Sequence, residues 1–252
     1  MKVSIVTVVY NGSAFISDCI DSVLGQDYPD VEYIIVDGGS EDGTVELINA
    51  YGNRISRFIS EKDLGIYDAM NKGIGMATGG VIGILNADDF FSDCGVVRKI
   101  ARAFKESGTD VVYGDLFYIS RSNAAMIVRK WTGRPYHERL FASGWMPAHP
   151  TFYARRELFD RYGKYDLSYG SAADYELMLR FMHRFKVKAV YLPDVFVRMR
   201  TGGVSNRSFR NRLRSLLSDY RAMKTNAVRF PWVVVLMKPL RKLKQYQYLT
   251  LS

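Results

Sequence analysis

An alternation of apolar runs with helical patterns through the first half of the chain most constrains its fold. The runs at residues 4–9, 31–36 and 81–85 are almost continuously apolar, which is typical of parallel strands buried on both faces. Helical patterns separate them, for example around residues 15–26 and 66–76. Because strand–helix–strand units connect in a right-handed sense, the sequence predicts an α/β fold with a mostly parallel sheet between two helical layers.

Polar side chains follow the predicted strands at the point where each strand ends. Ligands of such sheets bind beyond the carboxyl ends of the strands. The segments that follow the first four strands are Tyr10-Asn11, Asp37 to Thr44, Ser60 to Gly65, and "NADD" (Asn86 to Asp89). Adjacent carboxylates at a strand end are suited to Mg²⁺ or Mn²⁺, whose open positions accept phosphate oxygens. An isolated Asp pair can equally begin a turn or cap a helix, so both interpretations stay open at this point.

Two common nucleotide-binding motifs are missing from the sequence. No Gly-x-Gly-x-x-Gly follows the first strand and no Walker-type loop occurs, which argues against a dinucleotide cofactor and a P-loop nucleotide. Asp37 precedes Gly38-Gly39, whose backbone can turn tightly and bring the carboxylate close to a base or ribose. Asp63, after the third strand, is a second candidate for that contact.

The positive charge is concentrated at the C-terminal end. The chain has 35 basic and 26 acidic residues, and residues 207–252 hold 11 of the former and one of the latter. Apolar and aromatic residues alternate with these bases, which predicts a surface that lies against anionic lipid. For the predicted helix at residues 207–224, packing of its apolar stripe on the rest of the protein is an equally good interpretation.

Features that bear on location agree with a cytoplasmic protein. The N-terminal apolar run ends at Asn11-Gly12 and lacks a cleavage site, so we do not expect a signal peptide. The apolar run at residues 232–237 is far shorter than the roughly 20 residues that cross a bilayer. Cys19 and Cys94 fall in segments predicted to be helical and half-buried, and two thiols imply no disulfide framework. We therefore expect a cytoplasmic protein that is peripheral on the inner face of the cell membrane.

Four blocks of sequence together resemble a known family. They are "SIVTVVYN", "IIVDGGSEDGT", "EKDLGIYDAMNKGIGMATGGVIGILNADD" and "AADYELMLR", in this order. They resemble the inverting nucleotide-sugar glycosyltransferases of family 2, of the type that assembles bacterial surface polysaccharides. The resemblance implies the GT-A fold, which is Rossmann-like, for residues 1–205. Residues 206–252 would then form a basic, amphipathic, helical C-terminal extension.

The resemblance also implies contacts with the nucleotide-sugar donor. Val8 and Tyr10 would lie by the base, and Asp37 and Asp63 would bind the nucleoside. Asn71, on the glycine-rich helix at residues 66–76, could reach the donor.

The resemblance further implies a metal site and a clamp on the diphosphate. "NADD" corresponds to the family's Asp-x-Asp motif with Asn86 in its first position, so Asp88 becomes the metal ligand, and Asp89 either supports the metal site from behind or contacts the donor sugar. His149 lies in a segment that the family places near the acceptor, so it is a second candidate metal ligand that could instead contact the diphosphate or the acceptor, or be structural. Arg200, in the loop predicted at residues 198–206, would close over the diphosphate.

Asp174 matches the position of the family's catalytic base. Attack of an acceptor hydroxyl on an anomeric carbon needs one carboxylate to take the proton, and no covalent nucleophile. Asp174 is predicted at the amino end of a helix, where its side chain can face a cleft. Without the resemblance, a helix-capping role would be the better interpretation.

The resulting prediction is metal-assisted transfer from a nucleotide-diphosphate sugar, with UDP-sugars favoured, to a saccharide acceptor that is plausibly lipid-linked. Its competitors are a nucleotidyltransferase, a nucleic-acid-binding protein and a non-catalytic relative that only binds the donor. A nucleotidyltransferase would carry a glycine-rich basic loop after the first strand, and nucleic-acid binding would leave the acidic strand ends unexplained. We therefore expect no nucleic-acid partner.

Overall fold

The computed structural model of the chain describes residues 1–202 and 209–235. Within them it contains nine β-strands and eight α-helices, and residues 231–235 are helical as well. The strands are β1 (Val3–Val9), β2 (Val31–Asp37), β3 (Arg57–Ser60), β4 (Val81–Ile84), β5 (Asp89–Phe91), β6 (Val111–Ile119), β7 (Ile127–Trp131), β8 (Tyr153–Arg155) and β9 (Ala189–Arg200). The helices are α1 (Ile16–Leu24), α2 (Thr44–Asn49), α3 (Ile66–Met76), α4 (Val96–Ser107), α5 (Arg139–Ala142), α6 (Arg156–Tyr162), α7 (Ala173–Met178) and α8 (Phe209–Thr225).

All nine strands belong to one sheet. Its order is β3-β2-β1-β4-β8-β6-β9-β5, and β7 pairs with β6. Strands β3, β2, β1 and β4 are parallel to one another, so their carboxyl ends meet at one edge. Strands β8, β5 and β7 run antiparallel to the strands they pair with, while β6 and β9 are parallel. The predicted α/β fold with a mostly parallel sheet flanked by helices is confirmed.

The central strands are apolar because both of their faces are covered. Ile34 and Val36 of β2 pack into one core cluster, whereas Tyr33 and Ile35 pack into a second cluster. Neighbouring side chains of a strand point to opposite faces, so each face of the sheet needs its own apolar set. The edge strand β3 instead has exposed residues at both ends and two half-buried residues between them.

Helix α3 lies very close to the sheet at Gly73. A Cβ atom at this position would be 2.2 Å from Cγ1 of Val6 and 3.4 Å from Cγ2 of Val36. On the outer side of the same helix, a Cβ at Gly75 would meet only the flexible end of Lys164. The approach of α3 to β1 therefore depends on glycine at position 73.

We expect Gly73→Ala to lower the free energy of unfolding by about 1–3 kcal/mol, because the added methyl overpacks against Val6. The matched variant Gly75→Ala should be neutral or stabilise the protein by up to about 1 kcal/mol, since alanine is the better helix former. Urea unfolding of both variants measures the difference. Equal effects of the two substitutions would contradict the close approach.

The C-terminal helix α8 packs on the rest of the protein. Ala222 and Met223 are fully buried, and Val228 and Val234 enter the same core cluster after the helix ends. Sequence analysis left open whether this helix lies on a membrane or packs on the rest of the protein. Packing on the protein holds for the face that carries Ala222 and Met223. The predicted boundary between residues 205 and 206 and the basic residues beyond 235 lie outside the described residues.

Two local expectations are corrected. Residues 198–200 belong to strand β9 instead of a loop, because they pair with β5 and β6. Cys94 is exposed in a turn before α4, whereas Cys19 is fully buried in α1.

Among the described residues, no helix has both the length and the apolar character that crossing a membrane would require.

Candidate active site

The carboxyl ends of β1, β2 and β3 lie side by side at one edge of the sheet, where the candidate nucleoside pocket would be. Tyr10 follows β1 and is 68% exposed. A Cβ atom at Gly38, after β2, would lie 3.4 Å from the Tyr10 ring and 3.0 Å from Oδ2 of Asp63, which follows β3. An exposed aromatic ring and a carboxylate thus border a position that has no side chain. Sequence analysis identified Tyr10 and Asp63, but treated Gly38 only as a turn residue.

Lys72 of helix α3 holds Asp63 in place. Its Nζ donates to Oδ1 of Asp63 at 2.6 Å and lies 2.7 Å from Oε1 of Glu61. These contacts, the one to Asp63 first, raise the pKa of Lys72 above its usual value. Oδ1 of Asp63 is therefore engaged by a cation, while Oδ2 faces the pocket at Gly38.

Asp37 has a different role from the one predicted. Its carboxylate is fully buried and accepts hydrogen bonds from the backbone of Gly39 and Ser40 and from the hydroxyls of Ser40 and Ser60. Ser40 Oγ in turn accepts the backbone N–H of Asn11 at 2.7 Å. Asp37 thus organises the loops around the pocket, and its side chain is not available to a nucleoside in this structure.

Val8 and Asn71 also differ from the prediction. Val8 is 5% exposed and packs in the core beneath the pocket. The Asn71 amide is used on both sides by the backbone of Tyr165, as a donor at 2.8 Å and an acceptor at 2.9 Å. Val8 points into the core because of the alternation of side chains along β1, and the Asn71 side chain is directed at Tyr165. Both residues therefore support the candidate site without facing it.

Asp88 and Asp89 point in different directions. Asp89 begins strand β5, is fully buried, and accepts the backbone N–H of Arg200 at 3.3 Å. Burial, followed by the charge of Asp88, raises the pKa of the Asp89 carboxyl well above its ordinary value. Of the two predicted roles of Asp89, burial favours support of the metal site over contact with the donor sugar, whereas the side chain of Asp88 is 35% exposed.

Arg200 fixes the chain at Asp88. It is 5% exposed, donates to the carbonyl oxygen of Asp88 at 2.9 Å, and lies 2.5 Å from the carboxylate of Asp18. Its guanidinium also lies over the ring of Phe15, 4.6 Å from the centroid. Since it ends strand β9 and its donors have partners, Arg200 is not the mobile clamp that was predicted.

Arg121 is a cation that sequence analysis missed. It lies between β6 and β7, with its Nη1 4.0 Å from Oδ2 of Asp88 and its guanidinium 4.4 Å from the centroid of the Phe15 ring. Its side chain is 50% exposed and can therefore meet a ligand. The surrounding sequence holds no motif, and only the fold brings this loop to Asp88.

Asp174 lies in the first turn of α7 with its side chain 17% exposed. Oδ1 accepts the backbone N–H of Tyr175 at 2.7 Å, and Oδ2 lies 3.4 Å from Nδ1 of His149. Tyr67 of α3 is a further neighbour, because burial and then the charge of Asp174 raise the pKa of its hydroxyl. The predicted base and the predicted second metal ligand are thus partners of each other.

A buried network holds helix α7. Glu176 is 3% exposed and accepts hydrogen bonds from Arg180 and from Asn226, which follows α8. Arg180 also donates to the carbonyl oxygens of Gly163 and Lys164. This network ties α7 to α8 and to the loop after α6, so Asp174 sits on a rigid support.

The residues around Asp88 fit a divalent cation only in part. Asp88 supplies one accessible carboxylate, and Oδ1 of Asn86 is buried without a hydrogen-bond partner. In the described part of the chain, no group of three or more His, Cys, Asp or Glu side chains could hold a metal ion. Oxygen atoms of a bound diphosphate would have to complete the coordination of Mg²⁺ or Mn²⁺ at Asp88.

This mostly parallel sheet flanked by helices has the fold of the GT-A glycosyltransferases. Residues 4–163 match the family model described as Glycosyl transferase family 2. The chain belongs to this family, as its four sequence blocks predicted.

Named relatives agree with this membership. The PGL/p-HBAD biosynthesis glycosyltransferase of Mycobacterium bovis is 32% identical over 208 residues, which cover 81% of this chain and 78% of that protein. The uncharacterized glycosyltransferase Rv1514c of Mycobacterium tuberculosis is 31% identical over 180 residues, covering 71% of this chain and 68% of that protein.

Solved structures have the same fold. S. aureus TarS 1–349 in complex with UDP-GlcNAc has a TM-score of 0.68 and 19% identity over 90% of this chain and 66% of that one. The mannosyltransferase PcManGT from Pyrobaculum calidifontis, in complex with GDP-Man and Mn²⁺, has a TM-score of 0.66 and 20% identity over 99% of this chain and 70% of that one. A longer TarS chain is matched over 39% of its length.

Proposed function

We propose that this protein is an inverting glycosyltransferase that moves a hexosyl or N-acetylhexosaminyl group from a nucleotide-diphosphate sugar, with UDP-sugars favoured. The acceptor is a saccharide, carried on a lipid, in the assembly of a cell-surface polysaccharide. The observation that carries this proposal is the construction of helix α3. Its residue Lys72 holds Asp63 beside Gly38, and the hydroxyl of its residue Tyr67 lies 3.5 Å from the carbonyl oxygen of Ser171, three residues before Asp174. Lys72 and Tyr67 are five residues apart on one helix, a rise of about 7.5 Å, which supports one cleft for donor and base.

The reaction follows from the roles of the residues. The ring of Tyr10 and Oδ2 of Asp63 bind the nucleoside over Gly38. Asp174 accepts the proton of the acceptor hydroxyl as that oxygen bonds to the anomeric carbon and the nucleoside diphosphate departs from the opposite face. One displacement inverts the configuration. Asp88 would hold a divalent cation, which when bound neutralises the charge of the leaving diphosphate.

Calorimetry of the purified protein with UDP, GDP and dTDP, with and without Mn²⁺, tests the donor class. We expect one nucleotide to bind, with higher affinity in the presence of Mn²⁺, and the matching nucleotide sugar to be slowly hydrolysed. Failure of the folded protein to bind any nucleoside diphosphate would overturn the proposal. Donor binding without hydrolysis or transfer would favour the non-catalytic relative, and release of pyrophosphate from a nucleoside triphosphate and a sugar phosphate would favour the nucleotidyltransferase.

Arg121 supplies positive charge to the diphosphate in this proposal. We expect Arg121→Ala to weaken binding of UDP without metal by about tenfold, since a charge-assisted hydrogen bond contributes roughly 1.5–3 kcal/mol. Calorimetry at low salt measures the change. Arg102→Ala removes an exposed arginine of α4 that pairs with Glu106 and should leave the affinity unchanged. Equal affinities of the Arg121 variant and the wild type would contradict this role.

The outer surface of the C-terminal segment supports contact with a membrane. Leu217, Tyr220, Phe230 and Trp232 are 62%, 39%, 67% and 61% exposed. Phe230 also has a φ of 53°, an unfavourable backbone conformation for a bulky residue, and presents its ring outward. With the excess of basic residues after position 206, this surface suits an anionic bilayer on the cytoplasmic side.

We expect the double variant Phe230→Ser/Trp232→Ser to lose at least about tenfold in binding to phosphatidylglycerol vesicles, because burial of one large apolar side chain contributes roughly 1.5–3 kcal/mol. Co-sedimentation with vesicles measures the binding. Leu47→Ser, an exposed leucine of α2, is the control and should bind as the wild type does. Binding that resists the double substitution, or a preference for random DNA over vesicles, would contradict the membrane contact.

A further inference from the structure

We propose that His149 is a positioning residue for the catalytic base, and that its ring Nδ1 orients the carboxylate of Asp174 toward the acceptor hydroxyl. This inference rests on the proposed function, because it concerns the proton that leaves the acceptor. It differs from the metal-ligand role that the sequence suggested for His149.

The two oxygens of Asp174 have different surroundings. Oδ1 accepts the backbone N–H of Tyr175 at 2.7 Å, which ties this oxygen to helix α7. Oδ2 lies 3.4 Å from Nδ1 of His149, and the two side chains are 17% and 30% exposed. This separation is longer than an ordinary hydrogen bond, and such contacts often shorten when a substrate closes the site. Oδ2 is therefore the oxygen that can meet both the imidazole and an acceptor.

The turn that carries His149 is held rigidly. Residues His149–Thr151 form a 3-10 turn, and Thr151 is fully buried. Its hydroxyl accepts the N–H of Gly114 at 3.3 Å and lies 3.0 Å from the carbonyl oxygen of Gly114 and 2.8 Å from that of Ala148. Strand β6 thus fixes the turn, and a rigid support is what a residue needs to orient another group.

The base is held from its other sides as well. The hydroxyl of Tyr67 lies 3.5 Å from the carbonyl oxygen of Ser171, and the ring of Tyr67 packs 5.3 Å from that of Tyr165. Burial, with a smaller contribution from the charge of Asp174, raises the pKa of Tyr165 as well. His149 is thus one part of a shell around the carboxylate, with its Nδ1 3.4 Å from Oδ2.

The contacts of His149 argue against a metal site shared with Asp88. The charged neighbour of Asp88 is Arg121, at 4.0 Å, whereas the charged neighbour of His149 is Asp174. The position of His149 therefore favours a role beside the catalytic base over a role as a metal ligand.

Three substitutions of His149 separate the possible roles. Asn places an amide N–H near the former Nδ1 position, Gln places one near Nε2, and Ala removes both. We expect His149→Ala to reduce kcat for donor hydrolysis by roughly tenfold to a hundredfold, the effect of misplacing a catalytic group by about 1 Å. KM and the affinity for UDP with Mn²⁺ should stay within about twofold of the wild type. His149→Asn should recover more of kcat than His149→Gln does.

A double variant supplies the second readout. In an Asp174→Asn background, His149→Ala should have no further effect on kcat, because the carboxylate that it orients is gone. An unchanged kcat for His149→Ala, or additive losses in the double variant, would overturn the inference while leaving the proposed function intact. Loss of Mn²⁺-dependent UDP binding in His149→Ala would overturn it in favour of a metal ligand. Absence of hydrolysis of every donor by the wild type would overturn the proposed function and this inference together.

Discussion

Asp174→Asn is expected to reduce kcat for donor hydrolysis and for transfer by at least about a hundredfold, and to leave nucleotide affinity unchanged. A positioned general base contributes roughly 10²- to 10⁴-fold, and an amide of the same shape cannot accept the proton. The backbone N–H of Tyr175 can still bond to the amide oxygen, so the start of α7 should keep its structure. Steady-state kinetics and calorimetry with UDP, performed on the same preparation, measure the two quantities.

Asp160→Asn is the matched control for this variant. Asp160 is an exposed aspartate of α6 that pairs with Arg156, far less buried than Asp174. The same chemical change at Asp160 should alter neither kcat nor nucleotide affinity. An Asp174→Asn protein that retains more than about a tenth of wild-type kcat would show that another group takes the proton.

Asp88→Asn is expected to remove the part of the UDP affinity that depends on Mn²⁺. Asp88 is the accessible carboxylate after β4, and an amide is a much weaker ligand for a hard cation than a carboxylate. We expect the ratio of UDP affinities with and without Mn²⁺ to fall from at least about tenfold to about one, because a cation bridging protein and diphosphate contributes several kcal/mol. Calorimetric titrations with and without Mn²⁺ measure this ratio.

Asp27→Asn is the control for that titration. The side chain of Asp27 is 33% exposed, close to the 35% of Asp88, and it pairs with Arg98 at 3.0 Å. Its variant should retain the full dependence on Mn²⁺. If Asp88→Asn also retains the dependence on Mn²⁺, the metal is held by other residues. If neither variant nor the wild type responds to Mn²⁺, positive charge from Arg121 replaces the metal at this site.

Sequence analysis located several candidate site residues in the segments that follow the parallel strands, and the structure places them there. Tyr10, Asp63 and Asp88 come after β1, β3 and β4, and the parallel pairing of these strands brings them to one edge. The apolar runs that precede these residues predict where each strand ends. The position of a residue along the chain is therefore nearly sufficient to predict that it lies at this edge of the sheet. Asp174 was placed at the start of a helix for a similar local reason.

The expectations that were wrong concern the direction in which a side chain points. Val8 and Asp37 are buried, and Arg200 is held by Asp18 and the backbone of Asp88. In a strand, neighbouring positions face opposite sides, so an error of one residue turns a ligand contact into a core residue. The short strand β5, which begins at Asp89, has too few residues to produce a recognisable pattern.

The sequence by itself determined the fold class, the positions of the strand ends, and the family, because these properties depend on local patterns that short segments carry alone. Only the tertiary structure decided which side chains meet across long separations. It brought Arg121 to Asp88, His149 to Asp174, and Asn226 to Glu176. These contacts depend on the register and orientation of elements that lie far apart along the chain, and no single segment encodes the packing that creates them.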